Sequence, residues 1–296
     1  MKLSLCIATY NEEKNIHYPL DSAYDLVDEV VIVDGGSTDR TVEVAKSYGK
    51  KVRVISSDNP KMFHKNKQKA IEAAKGEWIL QLDADESLSN ELKLEIKQIV
   101  NNNLKSRIQN SESNKKILNS KFHSEFLIHN STFVAYWLPR KNWFLTRFLI
   151  KGGQYPDYTI RLYRNGYARF PCKDVHENVE IIKNLESRIQ NSESNKKILN
   201  SKLKIGYLKN PILHYADPDF SRYLMRWNRY TTLEVEKMSK GTKLSFFKYF
   251  CWYPKKTFFL MFFRHKGFQD GFPGFVFALF SSIRFWVIYI KWWQRK

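Results

Sequence analysis

Glu29-Val-Val-Ile-Val-Asp34-Gly-Gly-Ser-Thr-Asp39 is a short apolar run that ends in an aspartate, passes two glycines and enters a helix-forming stretch. Gly35 and Gly36 permit a tight strand-to-helix turn, and the free amides of the following helix suit anionic or polar ligands. On the N-terminal side, residues 3–8 read as a second apolar strand and 12–26 as a helix. On the C-terminal side, the pattern predicts a helix over 39–48, with Ser37 or Thr38 as cap, a strand over 52–55, a helix over 66–74 and a strand over 78–82. Such alternation predicts an α/β fold with a mostly parallel sheet covered by helices on both faces.

Ligands of these sheets bind beyond the carboxyl ends of the strands. Three polar clusters fall there: Thr9-Tyr10-Asn11-Glu12, the Asp34–Asp39 turn, and Asp83-Ala84-Asp85. Side chains two apart on an extended segment point the same way. On that geometry Asp83 and Asp85 converge on one hard cation and on the diphosphate it holds. Asp34, at its strand end, is placed to accept hydrogen bonds from a ribose or a base. Neither Gly-x-Gly-x-x-Gly nor Gly-Lys-Ser/Thr occurs, so a dinucleotide fingerprint and a P-loop are both excluded.

The chain has 296 residues, with 49 Lys and Arg against 30 Asp and Glu, a net charge of +19 that calls for an anionic partner. Nucleic-acid recognition motifs are missing, so acidic lipid or a phosphate-bearing substrate is expected in preference to nucleic acid. Three scattered cysteines, Cys6, Cys172 and Cys251, indicate neither a zinc site nor a disulfide framework, in keeping with a reducing cytoplasm. The N-terminus enters a strand directly and shows no secretory signal, so the catalytic part is expected to stay inside the cell.

Residues 106–121 recur unchanged at 187–202, and the likeness extends to Asn103-Leu104 and Asn184-Leu185. Two polar copies separated by unrelated sequence do not make a stacking repeat. They read as surface-loop insertions at about 103–121 and 184–202, with no catalytic role.

The last third is dense in aromatics. Residues 246–263 and 272–293 are broken by Lys, Arg, Pro and Gly. The second run is long enough to raise a membrane span, but Pro273, Gly274 and Arg284 argue against a clean one. Aromatic segments flanked by Lys and Arg fit helices lying in the membrane interface against anionic headgroups. The expected division is a catalytic domain over 1–217 and a membrane-proximal helical region over 218–296, with the protein peripheral on the inner face of the cell membrane.

Taken together, Ala8-Thr-Tyr-Asn-Glu-Glu13, Val33-Asp-Gly-Gly-Ser-Thr-Asp39-Arg-Thr41 and Leu82-Asp-Ala-Asp-Glu86 resemble the signatures of family 2 glycosyltransferases, inverting enzymes of the GT-A fold that use nucleotide-sugar donors. Gly152-Gly-Gln-Tyr-Pro-Asp157-Tyr-Thr-Ile-Arg161-Leu-Tyr-Arg164 and Val175-His176-Glu177 are similar to the branch of lipopolysaccharide-core β-1,4-glucosyltransferases. The resemblance implies that Thr9, Tyr10, Glu12 and Asp34 line a nucleoside pocket and that Lys67 approaches the donor phosphate or base. It implies that Asp83 contacts the ribose or the metal, and that Asp85 holds the Mg²⁺ or Mn²⁺ bridging the two phosphates. His176 is then a candidate further metal ligand. Asp157, with proline in place of the usual first acid of its pair, stands where the family has its general base, and Arg161 stands to hold Asp157 or a phosphate. Glu86 is left to the acceptor or to solvent, and His214 to the end of a strand.

What the resemblance implies overall is a hexosyltransferase acting from a UDP-sugar, glucose-like, on a hydroxyl of a saccharide or lipid-linked acceptor. A polyprenyl-phosphate sugar synthase shares the N-terminal motifs and differs in its acceptor. A non-enzymatic basic module binding acidic membranes is the reading from another class, against which Asp83, Asp85 and Asp157 stand.

Overall fold

The computed structural model describes residues 1–60, 62–109, 133–172, 178–182, 204–217, 219–239 and 241–295. By its contacts the chain divides into two units, residues 1–139 with 158–212 and residues 140–157 with 213–296. The second unit thus takes in a segment well ahead of residue 218. Its backbone explains why: Ile150 and Lys151 donate N–H bonds to the Asp270 carboxylate at 3.1 and 2.8 Å, and Gly152 donates to the carbonyl of His265.

The first unit is the α/β layer. Strands β1 (Leu3–Thr9), β2 (Glu29–Asp34), β3 (Val52–Ser56) and β4 (Trp78–Gln81) lie in the order β3-β2-β1-β4, all parallel. Between them run helices α1 (His17–Ala23), α2 (Thr41–Ser47) and α3 (His64–Ala73). Every residue of β2 is buried, as expected for a central strand covered on both faces. The two faces are separable by alternation. Leu5, Ile7, Val30, Ile32 and Leu80 pack with Ile16, Leu20, Leu92 and Ile96, while Cys6, Val31, Val33 and Ile79 pack with Ala70 and Ile71. Each such aliphatic side chain taken from water contributes about 1.5–3 kcal/mol, which sets the strand register firmly.

Two helices are shorter than the pattern predicts. Asn11 takes a left-handed φ of 56°, and the carbonyl of Glu12 accepts from the amides of Asn15 and Ile16, so α1 forms only from His17. Neither Ser37 nor Thr38 caps α2, because both face Asn11. Ser37 Oγ accepts from the Asn11 amide, and Asn11 Oδ1 accepts from the Thr38 amide. Asp39 Oδ1 instead takes the amide of Thr41 at 3.0 Å.

Beyond β4 the chain turns at Ala84-Asp85 into β5 (Glu86–Leu88) and α4 (Asn90–Gln109). The first repeat copy begins within α4 and then leaves the described residues, and the second lies outside them. Strand β6 (Phe133–Phe144) is followed by β7 (Arg147–Leu149) and β8 (Asp157–Arg164). β8 pairs antiparallel with β4, Leu80 opposite Leu162 and Trp78 opposite Arg164, and the sheet continues to β6. The sheet is therefore mixed, its direction changing between β4 and β8 in the interior. Short strands β9 (Ala168–Arg169) and β10 (Glu180–Ile181) pair with each other, and β11 (Lys204–Tyr207) runs parallel to β6.

In the second unit β7 pairs antiparallel with the end of β6. Strand β12 (Ile212–Asp217) leads to α5 (Phe220–Glu236), whose N-cap Asp219 accepts from the Arg222 amide at 2.8 Å. A continuous helical run follows over Lys248–Trp252, α6 (Tyr253–Phe258) and Phe259–Arg264, the outer two stretches with π-type bonding. The last helix is α7 (Gly271–Gln294).

Candidate functional site

The register of the parallel strands fixes where polar side chains emerge. Thr9 pairs with Asp34 and Asp34 with Ser56, so the ends of β1, β2 and β3 share one edge. There Thr9 Oγ1 donates to Asp34 Oδ1 at 3.1 Å, and Asp34 Oδ2 accepts the amides of Gly36 and Ser37 at 3.0 and 2.9 Å. Ser37 Oγ donates to Asp34 Oδ1 at 2.5 Å. Asp34 is thus buried and engaged in closing its own turn, for which Gly36 supplies a φ of 80°. Gly35 is needed for another reason: a Cβ there would stand 3.3 Å from the carbonyl oxygen of Thr9. Tyr10 beside them is exposed, and Glu12 Oε2 accepts from Asn15 Nδ2 at 2.6 Å.

At the end of β4 a second constellation forms around Asp83. The turn at Ala84-Asp85 interrupts the strand, so the alternation that would align Asp83 with Asp85 does not operate. Asp83 draws its partners from α3 and β8: Lys67 Nζ pairs with Oδ1, and Arg161 Nη2 lies 2.6 Å from Oδ2. Arg161 also reaches Glu86 Oε1 at 2.9 Å and donates through Nη1 to Gln81. Glu86 closes the circuit by accepting the Asp83 amide on Oε2 at 2.9 Å. Antiparallel pairing of β8 with β4 is what delivers Arg161 here.

Lys67, Arg161 and Glu86 are all buried, and Asp83 keeps about a quarter of its side chain exposed. Two cations and two carboxylates alternate, so no buried charge lacks a counter-charge. Burial pushes the Asp83 carboxyl up, but Arg161 and Lys67 outweigh it and hold the group well below the usual carboxylate range. Burial pulls the Lys67 ammonium down from its ordinary value, against the opposing pull of Asp83. The rings of Phe63 and Phe170 lie 5.0 and 5.9 Å from Lys67 Nζ. Glu86, left to the acceptor or solvent by sequence, is closed off from solvent: it is fully buried and orders the turn.

No three metal-ligating side chains gather among the described residues. Both Asp83 oxygens are held by cations, Asp85 stands on the adjoining turn, and His176 lies outside the described residues. Among the described residues this donor set does not build a protein-only cage. Its chemistry suits a hard cation that would share a carboxylate with substrate phosphates.

Asp157 sits at the start of β8, in the second unit. Its Oδ2 accepts from Arg140 Nε and Nη2 at 3.0 and 2.7 Å and lies 3.3 Å from Asn142 Nδ2. Asn142 Oδ1 meets His214 Nδ1 at 2.7 Å. Asp157, Arg140, Asn142 and His214 form one polar network, of which sequence reading found only Asp157 and a weak His214. Arg140 and Asn142 alternate along β6, a spacing that shows a shared strand face but not what that face meets.

A family model described as "Glycosyl transferase family 2" matches residues 4–164, which contain both sets of strand-end residues. Among curated proteins, the chain is 41% identical over 99 residues to an "Uncharacterized glycosyltransferase" of Rickettsia bellii, a match covering 33% of this chain and 32% of that protein. It is 28% identical to an "Uncharacterized glycosyltransferase" of Rickettsia felis, covering 96% of this chain and 87% of the relative. Among solved structures, Staphylococcus aureus TarS 1–349 in complex with UDP-GlcNAc matches with a TM-score of 0.40 at 18% identity, covering 99% of this chain and 88% of that one. Glucosyl-3-phosphoglycerate synthase from Mycobacterium tuberculosis, in complex with Mn²⁺ and UDP-Glc, matches with a TM-score of 0.28 at 27% identity, over 34% of this chain and 38% of that one. With more than half its length matched by the family model, and with that model ending on the strand that brings Arg161 to Asp83, the chain belongs to glycosyl transferase family 2.

Proposed function

We propose that the protein moves a hexose, glucose-like, from a nucleoside-diphosphate sugar to a hydroxyl of a saccharide or lipid-linked acceptor, with inversion at the anomeric carbon. The observation that carries this reading is the buried Lys67–Asp83–Arg161–Glu86 network at the end of β4, within the part matched by the family model. It holds a carboxylate and an ammonium in fixed positions where ligands of parallel sheets bind. On this reading Thr9, Tyr10, Glu12 and Asp34 shape the nucleoside end, and Lys67 and Asp83 meet the donor's ribose and phosphates. Asp85, with His176 as a further ligand, would hold Mn²⁺ or Mg²⁺. When bound, the cation would draw charge from the departing diphosphate.

Asp157 takes the proton of the acceptor hydroxyl as its oxygen bonds to the anomeric carbon and the nucleoside diphosphate leaves. Arg140 and Asn142 both grip Oδ2, which fixes the carboxylate's orientation and directs Oδ1 to the proton. Likeness of the 152–164 stretch to lipopolysaccharide-core glucosyltransferases supports an acceptor of that kind.

The test is release of nucleoside diphosphate from a panel of nucleotide sugars with Mn²⁺ or Mg²⁺, for the native chain and for Asp85→Asn. We expect a UDP-sugar to be turned over and Asp85→Asn to lose the metal dependence. No release from any donor would overturn the reading in favour of a non-enzymatic basic module. Transfer to a polyprenyl phosphate that survives Asp157→Asn would replace it by a polyprenyl-phosphate sugar synthase.

A further inference from the structure

After Glu236 the chain carries twelve Lys and Arg and a single acidic residue, Asp270. Asp270 is buried and bonded to the amides of Ile150 and Lys151, so it offers no negative charge to the surface. The same region bears an unusual number of exposed rings. Along the helical run over 248–264, Lys248, Trp252, Lys255, Lys256, Phe259 and Phe263 are all exposed. Their three- and four-residue spacings put them on one side of the helix.

Helix α7 has its own exposed stripe at helical spacing: Phe272, Phe275, Trp286, Ile290 and Trp293, with Phe272 71% and Trp293 63% exposed. Its other sides are covered. Val276 packs with Phe144 and Tyr223, Ile288 and Trp292 pack with Val235, and Trp227 and Lys291 tie it to α5.

Exposed aromatics interleaved with lysines, with no surface carboxylate among the described residues after Glu236, match an anionic lipid surface. Rings settle at the boundary of headgroups and chains, while lysines meet the phosphates. We infer that the hairpin of the 248–264 helix and α7 is a docking surface that lies in the interface of an anionic bilayer, without crossing it.

Length and composition alone would allow α7 to cross, for the 267–294 stretch holds 18 consecutive residues apolar enough to span. Its packing argues otherwise. Arg284, in mid-helix, pairs with Glu234 of α5 at 2.5 Å, and Lys291 bonds Asn228, Thr231 and Thr232 of the same helix. A spanning α7 would draw α5 into the hydrocarbon together with Arg222, Arg226 and Arg229, at a cost that a lone apolar helix does not face. Lying flat satisfies both helices.

This goes beyond the proposed transfer reaction, and its readout does not depend on turnover. The full chain is floated with vesicles of phosphatidylcholine alone and of phosphatidylcholine with phosphatidylglycerol in a two-to-one ratio. We expect binding to the mixed vesicles that weakens with salt, and little to the neutral ones. Replacing Lys248, Lys255 and Lys256 together by Gln should weaken binding about a hundredfold, on the usual contribution of a lysine at an anionic surface. Trp252→Ser with Phe259→Ser should weaken it at every salt concentration. These side chains are exposed, so the variants should keep the native circular dichroism and melting temperature. Equal binding to both vesicles, no binding to either, or indifference to the lysine substitutions would overturn the inference. So would cell membranes that retain the chain through alkaline carbonate, the behaviour of a spanning helix.

Discussion

Arg161 and Asp83, 78 residues apart in sequence, meet at 2.6 Å because β8 lies antiparallel beside β4. The guanidinium bridges Asp83 to Glu86, and Glu86 in turn accepts the amide of Asp83. The turn that carries Asp85 is therefore held on both sides by one buried arginine.

That bond makes Arg161 a stability residue as well as a site residue. Arg161→Ala strands Glu86 in a fully buried position, and breaking such a pair costs about 3–5 kcal/mol. Urea unfolding should show this loss, with a smaller penalty for Arg161→Ala combined with Glu86→Gln than for the arginine change alone. Equal penalties would mean that the pair does not act as a unit.

The pH dependence follows from Asp83. Its folded carboxyl is held well below its ordinary value of 3.8, by Arg161 and Lys67 acting against burial. Its contribution to stability is complete above about pH 4 and is lost as pH falls through the folded value. Acid titration of the Asp83→Asn variant should show a flatter decline below pH 4 than the native chain, read by tryptophan fluorescence. An identical acid limb would exclude Asp83 as the group responsible.

Asp157→Asn tests the base. Transfer to a hydroxyl acceptor should fall by about 10²- to 10⁴-fold, while affinity for the nucleotide, measured by calorimetry, stays within error. Arg140→Gln removes two of the bonds that orient the same carboxylate, so it should lower turnover less and leave nucleotide affinity unchanged. Native-like transfer by Asp157→Asn would dismiss it from the role.

Gly36 tests the turn beneath Asp34. At a φ of 80°, Gly36→Ala should destabilise by about 1–2 kcal/mol, and Gly36→Asn by less, since asparagine tolerates the left-handed region. Differential scanning calorimetry of the two variants decides it. Gly35→Ala should be harmful for a separate reason, the close carbonyl of Thr9.

Sequence by itself determined the alternation of strands and helices in the first ninety residues and the order of the strand-end motifs. Apolar runs bounded by glycine and aspartate leave few options in a parallel sheet, and strand β2 matches its expected bounds of 29–34. The family resemblance was legible for the same reason, since its motifs are contiguous and sit where strands end. Only the tertiary structure decided what those residues touch. Asp83 and Asp85 read as a matched pair until a turn separates them, and Arg161 had two plausible partners until the pairing of β8 with β4 supplied two others, Asp83 and Glu86. Arg140 and Asn142 carry no motif at all, and their role shows only in their bonds to Asp157. Local periodicity records which way a side chain faces, whereas long-range strand pairing records what it faces, and ion pairs between residues some eighty positions apart belong to the second kind.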